Sequence, residues 1–160
     1  MITTLPPLNE ADINEMDEAL GEFLKETDAT TALIIDKGGF MITHKGDARR
    51  FDLTTIAALA SGAYMANETI ANLVHESKFN SVYQQGENYS MFVNCIDEYC
   101  LLVVIFASKL SVGAVKYFAA PTGEKIAEQL RSAQERDPDS GFDLSALNLA
   151  DSESLFRKRV

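Results

Sequence analysis

Residues 89–107 read YSMFVNCIDEYCLLVVIFA, and the second half of that stretch decides the kind of fold. Leu101 to Phe106 is apolar at every position, without the alternation of a strand that has one wet face. Such a run belongs to a strand covered on both faces, and so to the centre of a sheet with helices packed on it. Asp97 and Glu98 interrupt the β-formers, so Tyr89–Ile96 and Tyr99–Ala107 read as two strands joined by a tight turn. A two-residue turn there sets Cys95 opposite Cys100, where a disulfide is geometrically conceivable. A reducing compartment favours two free thiols, and that is the expected state.

Upstream, Phe79–Glu87 reads as another strand, ended by a turn near Gly86–Asn88. Asp52 is a suitable N-cap for a long helix from Leu53 to about Glu76, because its carboxylate accepts first-turn amides. Thr31–Asp36 and Gly39–Thr43 are β-rich and separated by glycines that supply the positive φ of a hairpin. From Asn9 to Glu26, Ile13, Met16, Leu20, Phe23 and Leu24 recur at helical spacing. Downstream, Ser111–Glu135 is helical through Val112, Val115, Phe118, Ile126 and Leu130, with a kink or break expected at Pro121 and Gly123. Asp137-Pro138-Asp139-Ser140-Gly141 is a breaker cluster. The expected architecture is one α+β domain over residues 1–136, ordered α-β-β-α-β-β-β-α around a five-stranded, mainly antiparallel sheet. Residues 137–160 are expected to form a flexible tail.

The 160 residues suit one domain with a real core. At 46% hydrophobic and 24% charged, the composition fits a globular chain rather than a disordered or membrane-embedded one. The longest apolar run, Leu101–Ala107, falls far short of the roughly 20 residues that span a bilayer. The first residues lack the pattern of a secretory signal, so a cytoplasmic location is expected. The net charge of −10, with acids gathered in Glu10, Asp12, Glu15, Asp17, Glu18, Glu22, Glu26 and Asp28, argues against nucleic acid and anionic membranes as partners.

No active site of its own is legible. A phosphate-binding loop needs glycines, a lysine and a hydroxyl at fixed spacing; Lys37-Gly38-Gly39 is a turn, and Pro121-Thr122-Gly123-Glu124-Lys125 lacks the first glycine. His44 and His75 with two cysteines make no convincing metal site, and no serine sits in a nucleophile elbow. No metal or cofactor is expected.

The informative segment is the second helix. Ile56, Leu59, Ala63, Ala66, Ile70 and Leu73 recur three and four apart, the spacing of a face buried against a sheet. The opposite face carries Ala58, Gly62, Met65, Thr69 and Asn72, and Glu68 is the one charged residue from Leu53 to Val74. A solvated helix face is normally charged, so this one is expected to receive another chain.

The element order resembles the roadblock/dynein light chain family, whose members are mostly binding modules. The local text, ALIIDKGGFMITHKGD, then IAALASGAYMANETIANLVHESKF, then YSMFVNCIDEYCLLVVIFASKLSVGAVKYF, resembles its bacterial MglB branch over roughly residues 30 to 118. The resemblance implies a homodimer that binds a Ras-like small GTPase of the MglA type and stimulates its GTP hydrolysis without inserting a catalytic side chain. It implies a role in cell polarity and motility, and a platform of paired long helices that maps onto Gly62, Met65, Ala66 and Thr69. It also implies a docking segment in the tail around Leu155 and Phe156, although Arg157-Lys158-Arg159 departs from the family pattern. For the dimer, Phe79 to Gln85 is a candidate edge strand, with Phe79, Val82 and Tyr83 available for burial. A non-catalytic scaffold is the alternative, and a small-molecule sensor a third reading that no convergent polar cluster supports.

Overall fold

A computed structural model of the chain describes residues 5–136. The first helix, α1 (Glu10–Thr27), starts from a reciprocal cap. Asp12 N donates to the Asn9 side chain and Asn9 N to the Asp12 carboxylate, both at 2.9 Å, which satisfies two donors the first turn would leave orphaned. The hairpin β1 (Thr31–Asp36) and β2 (Met41–Gly46) follows, then α2 (Leu53–Leu73), β3 (Ser81–Gln84), β4 (Tyr89–Cys95), β5 (Cys100–Ala107) and α3 (Val112–Glu135). The order and the all-antiparallel pairing match the sequence reading.

The strands lie in the order β2-β1-β5-β4-β3, which puts β5 in the middle and leaves β2 and β3 as edges. Alternation along the strands divides the core into two layers. Ala32, Ile34, Phe92, Leu102, Val104 and Phe106 face α1 and α3. Leu33, Ile35, Val93, Leu101, Val103 and Ile105 face α2. Two helices therefore cover one side of the sheet, and one helix covers the other.

Several boundaries differ from expectation. β2 begins at Met41 rather than Gly39, because Asp36 folds the turn back on itself: its carboxylate accepts the Phe40 amide at 2.9 Å and its carbonyl accepts the Gly39 amide at 3.0 Å. Phe40 is thereby left in the turn. β3 is shorter than Phe79–Glu87, as suits an exposed edge. The β4–β5 turn is longer than two residues, since Cys95 pairs with Leu101 and the Asp97 carboxylate accepts the amides of Tyr99 and Cys100 at 2.8 and 2.9 Å. That register puts Cys95 on the α2 side and Cys100 on the other, so they do not face each other, and both are free thiols. Burial pushes the Cys100 thiol well above its ordinary pKa.

Of the kink or break expected at Pro121 and Gly123, the break does not occur; α3 is continuous through both. Pro121 removes one backbone donor, and the Thr122 hydroxyl donates to the Phe118 carbonyl at 2.9 Å in the same turn. Gly123 is buried, and an added Cβ would stand 3.4 Å from Asn94 Nδ2, an ordinary van der Waals distance, so the close packing of α3 there does not depend on the glycine. Asp12, one of the acids gathered along α1, is buried and ion-paired to Arg136 at 2.7 Å.

Candidate functional site

α2 is capped by Asp52, whose carboxylate accepts the Thr55 amide at 3.2 Å, and it crosses the sheet alone. Its buried residues are Leu53, Ala57, Ala60, Ser61, Tyr64 and Ala71. The expected inner face of Ile56, Leu59, Ala63, Ala66, Ile70 and Leu73 is therefore wrong by one residue, about 100° of rotation. Ile56 is half-buried, and the other five are exposed or nearly so. The reason is steric. A helix resting on the flat face of a sheet approaches closer over alanine and serine than over leucine, and α2 uses its small residues inward with Leu53 and Tyr64 as the large plugs.

Two side chains fix that orientation. Ser61 Oγ donates to the Lys37 carbonyl in the β1–β2 turn, and Tyr64 Oη donates to the Phe79 carbonyl at 3.2 Å ahead of β3. Lys37 Nζ lies 5.7 Å from the centre of the Tyr64 ring, a cation–π contact, and burial pushes the Tyr64 hydroxyl well above its ordinary pKa. Rotating α2 by one residue would break both hydrogen bonds.

The large apolar side chains are consequently turned outward. Leu59 is 69% exposed, Leu73 75% and Val74 55%, with Met65 and Ile70 about half exposed. Ala58, Gly62, Ala66, Thr69 and Asn72 are exposed among them. All the helical positions proposed from sequence thus lie on the open side, and the open side is wider and more apolar than the sequence reading allowed. Gly62 has nothing within 4 Å of where a Cβ would stand, so the fold of this chain does not require it. A glycine inside a helix costs roughly 0.5–1 kcal/mol against alanine, and here no internal packing explains it.

The sequence reading missed Phe40, which is 74% exposed in the β1–β2 turn. Gly39, at φ +95°, rests on α2 so closely that a Cβ would lie 3.1 Å from Ala58 Cα. Phe40 follows directly and extends the apolar surface off the helix. Its signal was an aromatic residue immediately after two turn glycines, which a strand starting at Gly39 had absorbed.

The edge strand β3 lies on the other flank. Val82 is half-buried on the α2 side, opposite Val93, while Tyr83 is exposed on the α1/α3 side, its ring stacked on Phe106 with centroids 6.2 Å apart. The two thus project to opposite faces, and the feature they share is the edge backbone between them. Phe79 is half-buried just before the strand. Leu155 and Phe156 lie outside the described residues.

Near the start of α2, Phe51, Ile56, Tyr89, Met91 and Ile105 line an apolar groove of about 340 Å³. Above it Arg50 is held in place. Its Nε lies 3.2 Å from Asp47, and its guanidinium donates to the Tyr89 hydroxyl, while the Asp47 carboxylate also accepts the amides of Arg49 and Arg50. His44 is half-buried on β2, and His75 follows α2 with a left-handed backbone at φ 65°. Among the described residues no three His, Cys, Asp or Glu side chains are placed to hold a metal ion, and no helix is long and apolar enough to cross a membrane.

Comparison with known proteins agrees with this geometry. A family model described as "Roadblock/LC7 domain" matches residues 15–106. A solved structure described as "MglB with tetrameric arrangement" is 30% identical, with 82% of this chain and 99% of that one covered at a TM-score of 0.77. The gliding protein MglB of Thermus thermophilus is also 30% identical over the same shares, at 0.76. Myxococcus xanthus MglB, 22% identical with 81% and 97% covered, shares the fold at 0.75. No curated protein sequence matches the chain.

Proposed function

The chain belongs to the Roadblock/LC7 family, on its MglB-like side, and from that premise we propose that it is a homodimeric regulator which binds a Ras-like small GTPase and stimulates its GTP hydrolysis. The observation that carries the reading is the inverted packing of α2, with small residues against the sheet and Leu59, Met65, Ile70, Leu73 and Val74 in the open. Single exposed leucines are ordinary, but a continuous uncharged helix face flanked by Phe40 and an unpaired sheet edge is what interfaces are made from. The similar structure with a tetrameric arrangement supports self-association of this chain as well. β3 supplies an edge that a second copy pairs with across a twofold axis, bringing two α2 helices side by side.

On that platform Ala58, Gly62, Met65, Ala66 and Thr69 are the partner-facing residues, with Leu155 and Phe156 of the tail as a second contact. A regulator of this kind needs no catalytic group. By binding only the hydrolysis-competent arrangement of the switch loops it raises the population of that state, while GTP and magnesium belong to the partner. Polarity and motility control in the cytoplasm is the corresponding cellular role.

The test is light scattering and single-turnover GTP hydrolysis with a Ras-like GTPase, comparing the parent with Met65→Arg and Thr69→Arg. We expect a dimer, stimulated hydrolysis by the parent, and loss of binding with an intact fold in both variants. A monomer at tens of micromolar would contradict the dimer. Binding without stimulation would leave the scaffold reading, in which the same surface recruits signalling or motility proteins.

A further inference from the structure

On the far side of the sheet from α2, α1 and α3 run antiparallel and leave between them a groove of about 370 Å³. Its floor is apolar and buried, formed by Met16, Ala19 and Ile126. Its rim is acidic. Glu22 is paired with Lys125 at 2.9 Å, whereas Glu15, Glu18 and Glu128 have no ion-pair partner among the described residues.

The end of the sequence has the complementary character. In a chain of net charge −10, Leu155-Phe156 is followed by Arg157-Lys158-Arg159, two large apolar side chains and then three consecutive cations. The chain also leaves the fold beside this groove. Arg136 closes α3 with its guanidinium on the buried Asp12 carboxylate at 2.7 Å, and Gln129 donates to the same carboxylate at 2.7 Å. These bonds pin the root of residues 137–160 to the helix pair that forms the groove.

We propose that residues 155–159 dock into the α1–α3 groove of their own chain, Phe156 over Met16 and Ile126 and the three cations along Glu15, Glu18 and Glu128. The reach is ample. The groove lies about two turns of α3 back from Arg136, roughly 12 Å, and a segment as long as residues 137–154 can span up to roughly 60 Å. Being in the same chain, residues 155–159 meet the groove at an effective concentration on the order of millimolar, so a local affinity that weak already fills it half the time. Because Leu155 and Phe156 cannot occupy the groove and a partner together, the docked state withholds the tail from partners until a better surface competes for it. The proposal goes beyond the GTPase reading and does not depend on it.

The experiment uses the full chain alone. Amide chemical shifts of the parent are compared with those of the Arg157→Glu/Lys158→Glu/Arg159→Glu variant, and zero-length carbodiimide cross-linking of Lys158 is mapped in a mixture of isotopically light and heavy protein. We expect shift differences concentrated at residues 15–22 and 125–132. We also expect Lys158 cross-links to Glu15, Glu18 or Glu128 within one isotopic copy, falling roughly fivefold in 0.5 M NaCl as exposed charges are screened. Adding Glu15→Lys, Glu18→Lys and Glu128→Lys to the tail variant reverses both signs and should restore the groove shifts; these glutamates line the open rim, so the fold is kept. No shift differences, differences centred on α2, or cross-links mainly between light and heavy copies would each overturn the proposal. None of these outcomes involves a GTPase.

Discussion

Ala57 and Ala63 sit on the same helix and differ only in the side they present, so Ala57→Arg and Ala63→Arg together weigh the orientation of α2. Ala57 is fully buried in the layer with Leu33, Leu101 and Val103. An arginine there overpacks the core, at about 1–3 kcal/mol, and buries a cation with no partner, at several more. A total above about 4–5 kcal/mol consumes most of the roughly 5–15 kcal/mol by which such a domain is stable. Ala63 is exposed, and arginine is nearly as good a helix former as alanine, so the change in the monomer's own stability should stay within about 0.5 kcal/mol. The assay is urea unfolding followed by circular dichroism, with light scattering on the same samples. We expect Ala57→Arg to be unfolded or nearly so, and Ala63→Arg to keep its helix content. Where Ala63→Arg weakens a dimer, its midpoint should lose the concentration dependence that a dimeric parent shows. If Ala63→Arg loses more than about 2 kcal/mol with its oligomeric state unchanged, α2 packs through the face with Ala63 and Ile70, and the platform is misassigned.

Asp12→Ala removes the partner of Arg136 and Gln129 and half of the α1 cap, and should cost about 2–3 kcal/mol in urea unfolding, as lost charged hydrogen bonds do where the remaining cation can still reach water. Burial opposes ionisation of Asp12, but the Arg136, Asn9 and Gln129 hydrogen bonds outweigh it and hold the carboxyl below its ordinary pKa. Its stabilisation is therefore complete above the unfolded value of about 3.9 and is lost as pH falls through the lower folded value, so Asp12→Ala should flatten stability against pH in that acid range. Gly62→Ala should raise the stability of the monomer by roughly 0.5–1 kcal/mol, because nothing crowds the new methyl, whereas Gly46→Ala should destabilise it, since φ is +97° and a Cβ would stand 2.3 Å from the Thr30 carbonyl. Arg49→Ala and Arg50→Ala should each lower stimulated GTP hydrolysis by less than about tenfold in single turnover; a loss of roughly a thousandfold with binding intact would establish an arginine finger. Phe40→Ala should weaken partner binding without altering the unfolding midpoint.

The sheet was legible because its signals are local. An unbroken apolar run marks a central strand, and β5 is that strand; glycines and Asp97 mark the turns. Register was less legible, because the Asp97 carboxylate that widens the β4–β5 turn bonds amides two and three residues on, a choice that Asp-Glu alone does not announce. The orientation of α2 was misread for a deeper reason. Hydrophobic periodicity assumes that the largest apolar residues point inward, and that assumption fails where a second apolar demand exists on the outside. Leu59, Ile70 and Leu73 follow the helical period as regularly as Ala57, Ala60 and Tyr64 do, one residue out of phase. The burial of Asp12 was out of reach altogether, since its partner lies 124 residues away in sequence.

The inverted packing of α2 also bears on how such a chain changes over generations. Residues that hold the helix down, namely Ala57, Ala60, Ser61, Tyr64 and Ala71, share no position with those that face outward. Selection for foldability therefore acts on one set, while selection for whom the protein meets acts on another. Substitutions at Leu59, Met65, Thr69 or Leu73 can accumulate without loss of the monomer fold. A duplicated copy is accordingly free to drift towards a new companion, or to pair with its sister copy in a heterodimer, while inheriting an intact scaffold.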